Sequence, residues 1–189
     1  MTQTNQALER VFLVAKEVNN KGTSPLFWQR GEDGLHLLGP CIHFLLSMAR
    51  LSENQECILE PDELVMEMVR LVGLCLMSRL KAMFTFNAPE QVQLGAKLAG
   101  FTACYSHYIG DPYRDIKIWA LVTAALLHDG ANRVVYLSAL RQEMTMTGGM
   151  NAAACVQFAK DFVWFEAFGD ARTEQLVQDI ALFDDRKTE

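Results

Sequence analysis

The chain has 189 residues, 50% of them hydrophobic, which is enough for one substantial core and short for two, so a single domain spanning residues 1–189 is expected. Lys and Arg number 17 against 23 Asp and Glu, a formal net charge of −6, so no excess of cations is available to neutralise a phosphate backbone and direct nucleic-acid binding is disfavoured. The start MTQTNQALER has neither the cationic opening nor the apolar run of a secretory leader, and Ile116 to Leu127 is far too short for a membrane span, so an intracellular protein, nuclear or cytoplasmic, is expected.

Taken in order, Thr4 to Val18 carries Leu8, Val11, Phe12, Val14, Ala15 and Val18 at helical steps, with Thr4 or Asn5 as cap. Lys21 to Gly34 reads as a loop or a short helical turn anchored by Phe27 and Trp28. Leu35 to Leu51 returns to helix, and Pro40, which removes an internal donor, predicts a kink or a fresh start near Gly39. Ser52 to Glu60 is a polar connection, after which Pro61 sits at a first-turn position.

Pro61 to Phe84 is the stretch around which the chain is organised. Leu64, Met68, Leu71, Val72, Cys75, Leu76, Leu80 and Met83 recur at three- and four-residue steps, while Glu63, Glu67, Arg70, Ser78 and Lys81 fall on the other side. This predicts a buried central helix with one wet edge. Pro89 to Tyr108 forms a further helix, weakened by Gly95 and Gly100, and Gly110, Asp111 and Pro112 break the chain. Tyr113 to His128 is strongly apolar, contains Trp119 and ends at Gly130 as a C-terminal cap. Asn132 to Met146 is amphipathic and is stopped by Gly148 and Gly149. Asn151 caps a helix running to about Phe165, Ala171 to Phe183 is the last helix, and Asp184 to Glu189 is a charged, fraying tail.

No useful run alternates with period two. The fold class expected is therefore all-α, with about eight helices packed as an irregular bundle around the apolar helix of residues 61–84. The cysteines Cys41, Cys57, Cys75, Cys104 and Cys155 are widely spaced and form no CxxC pair, which is the usage of a reduced compartment, where free Cys acts as a small buried hydrophobe.

Four segments in sequence resemble one family. EMVRLVGLCLMSRLKAMF resembles the arginine-led apolar helix in the regulatory region of fungal-specific transcription factors, KIWALVTAALLHDGANRVVYLSALRQEM resembles a later segment of that region, and NAAACVQFAKDFVWFEAFGD resembles the helix near its end. HFLLSMARL sits where the family has the element preceding them. The likeness runs from about Leu35 to Asp170 and places the family's arginine on Arg70 and its two tryptophans on Trp119 and Trp164. LLHDG departs from the family's paired glycines, and the six closely spaced cysteines of its N-terminal zinc cluster are absent. The resemblance implies a helical regulatory domain without that DNA-reading module, acting through protein partners or by sensing a small apolar ligand. The alternative is a small helical enzyme or ligand-binding protein of fungal secondary metabolism, with its pocket between the third, fifth and seventh predicted helices. A fragment of a longer protein is a third reading; Met1 and a cappable first helix weigh against a random cut.

The candidate ligand-binding residues are Arg70, Trp119, His128, Asp129, Tyr136 and Trp164. An Arg70 on the wet edge would pair with Glu67 or Glu63 for about 0.3–0.5 kcal/mol; an Arg70 pointing inward would need a carboxylate or a ligand anion. Packing is the default role for the two tryptophans. His128 and Asp129 form an HD pair, but neither they nor His36, His43 and His107 have further ligands at metal spacing, so no metal and no cofactor are implied. Ser47, Ser78, Ser106 and Ser138 lack a GxSxG turn, which disfavours a nucleophilic hydrolase. The acidic runs Glu53 to Asp62 and Asp179 to Asp185 read as solvated segments, and a homo-oligomer is allowed.

Overall fold

The Thr2 side chain, rather than Thr4 or Asn5, caps the first helix: its Oγ1 accepts from the Asn5 N–H at 3.4 Å. The computed structural model describes residues 2–51, 60–84, 87–146 and 148–185; Cys57, most of the acidic stretch Glu53 to Asp62 and the tail from Arg186 lie outside them. Among the described residues there are eight helices of 11 to 23 residues and no strand, so the all-α expectation holds. The long helices are α1 (Gln3–Lys21), α3 (Gly31–Ser47), α4 (Pro61–Met83), α5 (Glu90–Tyr105), α6 (Arg114–Leu127), α7 (Gly130–Met146), α8 (Ala152–Phe162) and α10 (Thr173–Asp185); α2 (Pro25–Gln29) and α9 (Glu166–Gly169) are single turns.

Of the loop or short helical turn expected between Lys21 and Gly34, the helical turn forms as α2, and α3 already begins at Gly31. In α2 Phe27 is buried, and Trp28 donates from Nε1 to the Gly22 carbonyl at 2.8 Å. The fresh start offered as one alternative near Gly39 does not occur, because α3 continues through Pro40. Leu38 before the proline and Cys41 and Leu45 after it are buried on one face, and that packing outweighs a penalty of about 3 kcal/mol for an interior proline. Further on, α8 stops at Phe162 rather than Phe165, since Val163 and Phe165 take extended backbone. Asn151 does cap α8, accepting from the Ala154 N–H at 2.8 Å. Gly130 takes a left-handed φ of +62° but does not cap α6, whose C-cap is His128; it opens α7 instead, so that only His128 and Asp129 separate the two helices.

The bundle has two central helices instead of one. Helix α4 packs against α1, α3, α5 and α6, while α6 packs against α4, α7 and α8, with α10 laid over α7 and α8. Every residue from Glu67 to Ser78 is buried, as is every residue from Lys117 to Leu126. The expected wet edge of α4 is thereby corrected: of the five residues assigned to it, Glu67, Arg70 and Ser78 are inside, and Glu63 and Lys81 keep solvent contact. Arg70 holds Glu67 with two hydrogen bonds, 2.7 Å from Nε and 2.6 Å from its terminal nitrogen. Between α6 and α7, Lys117 pairs with Glu143 in the same buried manner and also donates to the Ile109 carbonyl at 3.3 Å. Each charge has its counter-charge in place, which is the condition for tolerating buried ions. No helix among the described residues is long and apolar enough to cross a membrane.

Candidate functional site

Helix α3 carries apolar side chains over an unusually wide arc. Gly34, Leu38, Cys41 and Leu45 face the core, while Leu35, Gly39, Ile42 and Leu46 form a second stripe about 100° further round, at 100° per residue. That second stripe is one wall of a groove of about 380 Å³, whose floor is Leu74, Met77 and Ser78 of α4 and whose far wall is Leu94 of α5. Leu35 and Leu46, at 62% and 49% exposure, form its rim. A Cβ on Gly39 would meet nothing within 4 Å, so the wall is open at that point.

Behind Gly34 of the lining lies a cluster of rings. Phe84 stacks edge-on against Phe27 at 5.1 Å and lies 4.9 Å from Trp28, and its ring sits so close to Gly34 that a Cβ there would come within 2.7 Å. Glycine at position 34 is what lets α3 approach the end of α4.

The other side of the lining carries the polar groups. Lys81 donates to Glu90 Oε1 at 2.9 Å, joining the last turn of α4 to the first turn of α5. Burial pushes the Glu90 carboxyl up, but the Lys81 hydrogen bond, the backbone N–H at the helix start and the Lys81 charge outweigh it, so Glu90 titrates below its ordinary value. The Ser78 hydroxyl, sealed from solvent, adds a weaker downward pull on the same carboxylate. The groove is therefore hydrocarbon-lined, with one self-neutralised ion pair on its wall.

The residues singled out from sequence are dispersed through the structure, and each already has a partner. Arg70 points inward, and the anion it needs is Glu67. Trp119 is fully buried and donates from Nε1 to the Val163 carbonyl at 2.9 Å, with the Phe162 ring 5.7 Å away; the space between α4, α6 and α8, where the alternative pocket was expected, holds this indole. Tyr136 is also fully buried, donates to the Gly95 carbonyl at 3.0 Å, and has its hydroxyl pKa raised by burial. His128 donates from Nδ1 to the Ala124 carbonyl at 2.9 Å and lies 5.5 Å from the Tyr136 ring; burial lowers its pKa, against weaker opposing pulls from that carbonyl and Asp129. Asp129 is exposed and binds Arg172 and, at 3.4 Å, Arg133. Trp164 donates to Asp170 Oδ1 at 2.9 Å under the Lys160 ammonium, and lines a separate polar cleft with Asn19.

Among the described residues no group of three or more His, Cys, Asp or Glu is placed to hold a metal ion. Burial raises the thiols of Cys41 and Cys155 to about 11 and of Cys75 to about 12, so these behave as packing groups rather than nucleophiles. No family model, curated protein or solved structure matches the chain. What the groove can hold follows from its own chemistry. An apolar molecule gains by leaving water there.

The groove is not foreseen in the sequence reading, which gives Leu35 to Leu51 as helix without resolving its faces. The signal was present in the second stripe, Leu35, Ile42 and Leu46, which the core cannot use at the same time as Leu38, Cys41 and Leu45.

Proposed function

We propose that the chain is a helical sensor domain that binds a small apolar molecule in the groove between α3, α4 and α5. The observation that carries this reading is the groove itself: about 380 Å³ with hydrocarbon walls and a rim of half-exposed Leu35 and Leu46. The likeness of residues 35–170 to the regulatory region of fungal-specific transcription factors supports sensing over catalysis. So does the engagement of Arg70, His128, Asp129 and Tyr136 in internal bonds, which leaves them no reacting partner. The net charge of −6 supports action through a protein partner rather than through direct contact with DNA.

The test is a titration with the neutral fluorescent ketone 6-propionyl-2-(dimethylamino)naphthalene. Saturable blue-shifted emission at one site per chain is expected, with binding weakened about tenfold or more by Ile42→Phe, which fills the groove, and by Leu46→Trp, which covers its rim. Leu46 is half-exposed, so that variant folds even if Ile42→Phe does not. Unsaturable binding, or unchanged affinity in a folded Leu46→Trp variant, refutes the proposal.

A further inference from the structure

The outer stripe of α3 has the pattern of one half of a helix pair. Leu35, Gly39, Ile42 and Leu46 follow one another at steps of four, three and four residues, the seam spacing of two packed helices, and the leucines at its ends are 62% and 49% exposed. At 1.5 Å per residue the stripe is about 16 Å long.

From either end the order of side chains is similar, a leucine outermost and then glycine or isoleucine. A second copy laid antiparallel about a two-fold axis midway between Gly39 and Ile42 therefore sets Leu35 against the partner's Leu46 and Ile42 against the partner's Gly39. The glycine is the hole for that isoleucine, since a Cβ at position 39 would meet nothing within 4 Å. Such self-complementarity is what a two-fold interface requires of one surface.

The charges beyond the stripe fix the direction. Glu32 lies one turn before Leu35 and Arg50 lies four residues after Leu46; both are exposed, and neither has a partner among the described residues. Antiparallel packing brings Glu32 to the partner's Arg50 at both ends of the contact and opposes the two helix dipoles. Parallel packing would set Glu32 beside the partner's Glu32 and Arg50 beside the partner's Arg50, which repel. Lys81 and Glu90 on the groove wall are bonded to each other at 2.9 Å and add no net charge. A contact this short and one helix wide belongs to the small, reversible class, below about 1,200 Å² in total.

We propose that two copies of this chain associate through the outer stripe of α3 about a two-fold axis, with Ile42 seated over the partner's Gly39 and Glu32 paired with the partner's Arg50. The contact does not rest on the binding reading: it uses the exposed edge of the stripe, and its test is made without ligand.

Sedimentation equilibrium of the chain over about 5 to 500 µM tests it, the monomer mass being 21.3 kDa. A monomer–dimer equilibrium with a Kd of about 10–100 µM is expected. Gly39→Lys places a good helix former in open space, so the chain folds, and puts a cation where the partner's Ile42 sits; association should weaken about tenfold or more. At about 50 mM salt, Glu32→Arg and Arg50→Glu should each weaken association about three- to tenfold, because like charges then face each other at both ends. Glu32→Arg/Arg50→Glu restores opposite charges and should return to within about twofold of the native chain. A monomer throughout the concentration range, a dimer that survives Gly39→Lys, single swaps without effect, a double swap no tighter than the single ones, or assemblies larger than a dimer overturns the proposal.

Discussion

Replacing Glu67 by leucine strands the Arg70 guanidinium inside the protein. In the native chain both side chains are nearly sealed, with side-chain exposures of 4% for Arg70 and 5% for Glu67, and two hydrogen bonds of 2.7 and 2.6 Å join them. Leucine keeps an apolar side chain of similar bulk at position 67 but removes the counter-charge and both acceptors. Breaking a buried pair in this way costs about 3–5 kcal/mol, against a total stability of about 5–15 kcal/mol for a typical domain. At about 2–4 °C per kcal/mol for a chain of this size, the melting temperature should fall by roughly 6–20 °C. The double variant Glu67→Leu/Arg70→Met removes both charges together and should recover to within about 1 kcal/mol of the native chain, or exceed it. Urea denaturation of the native chain, both single variants and the double closes the cycle, with a coupling energy of about 2 kcal/mol or more expected. Additive losses in the double variant, or a loss below about 1 kcal/mol in Glu67→Leu, would show that the pair is not buried as described.

Other perturbations follow from the same contacts. His128 has a folded-state pKa lowered mainly by burial, so the unfolded chain binds the extra proton more readily and stability should decline as pH falls below the ordinary value of 6.5. His128→Gln should flatten that part of the stability profile, and an unchanged slope would assign the effect elsewhere. Asn19 ties α1 to the segment after α8, donating to the Trp164 carbonyl at 2.9 Å and accepting from the Glu166 N–H at 3.0 Å. Asn19→Ala should therefore cost about 1–2 kcal/mol and speed hydrogen exchange at the Glu166 amide, whereas native-like protection there would argue against the tie.

Helix existence and order were determined locally along the chain. The three- and four-residue spacing of apolar side chains, Pro61 in a first turn, Asn151 as a cap and the glycines at 148 and 149 act over a few residues, and each has its expected structural consequence, whereas Gly130 opens α7 instead of capping α6. No fresh start occurs at Pro40 because a local penalty met a tertiary gain, the burial of Leu38, Cys41 and Leu45 on either side of it. Periodicity also misplaced Glu67 and Arg70. Spacing of three residues describes equally a solvated edge and a pair that neutralises itself, and only the neighbours of α4 decide which one forms. The groove is tertiary for the same reason. The second apolar stripe of α3 is written in the sequence, but its pairing with Leu74 and Met77 of α4 and Leu94 of α5 depends on how those helices are brought side by side.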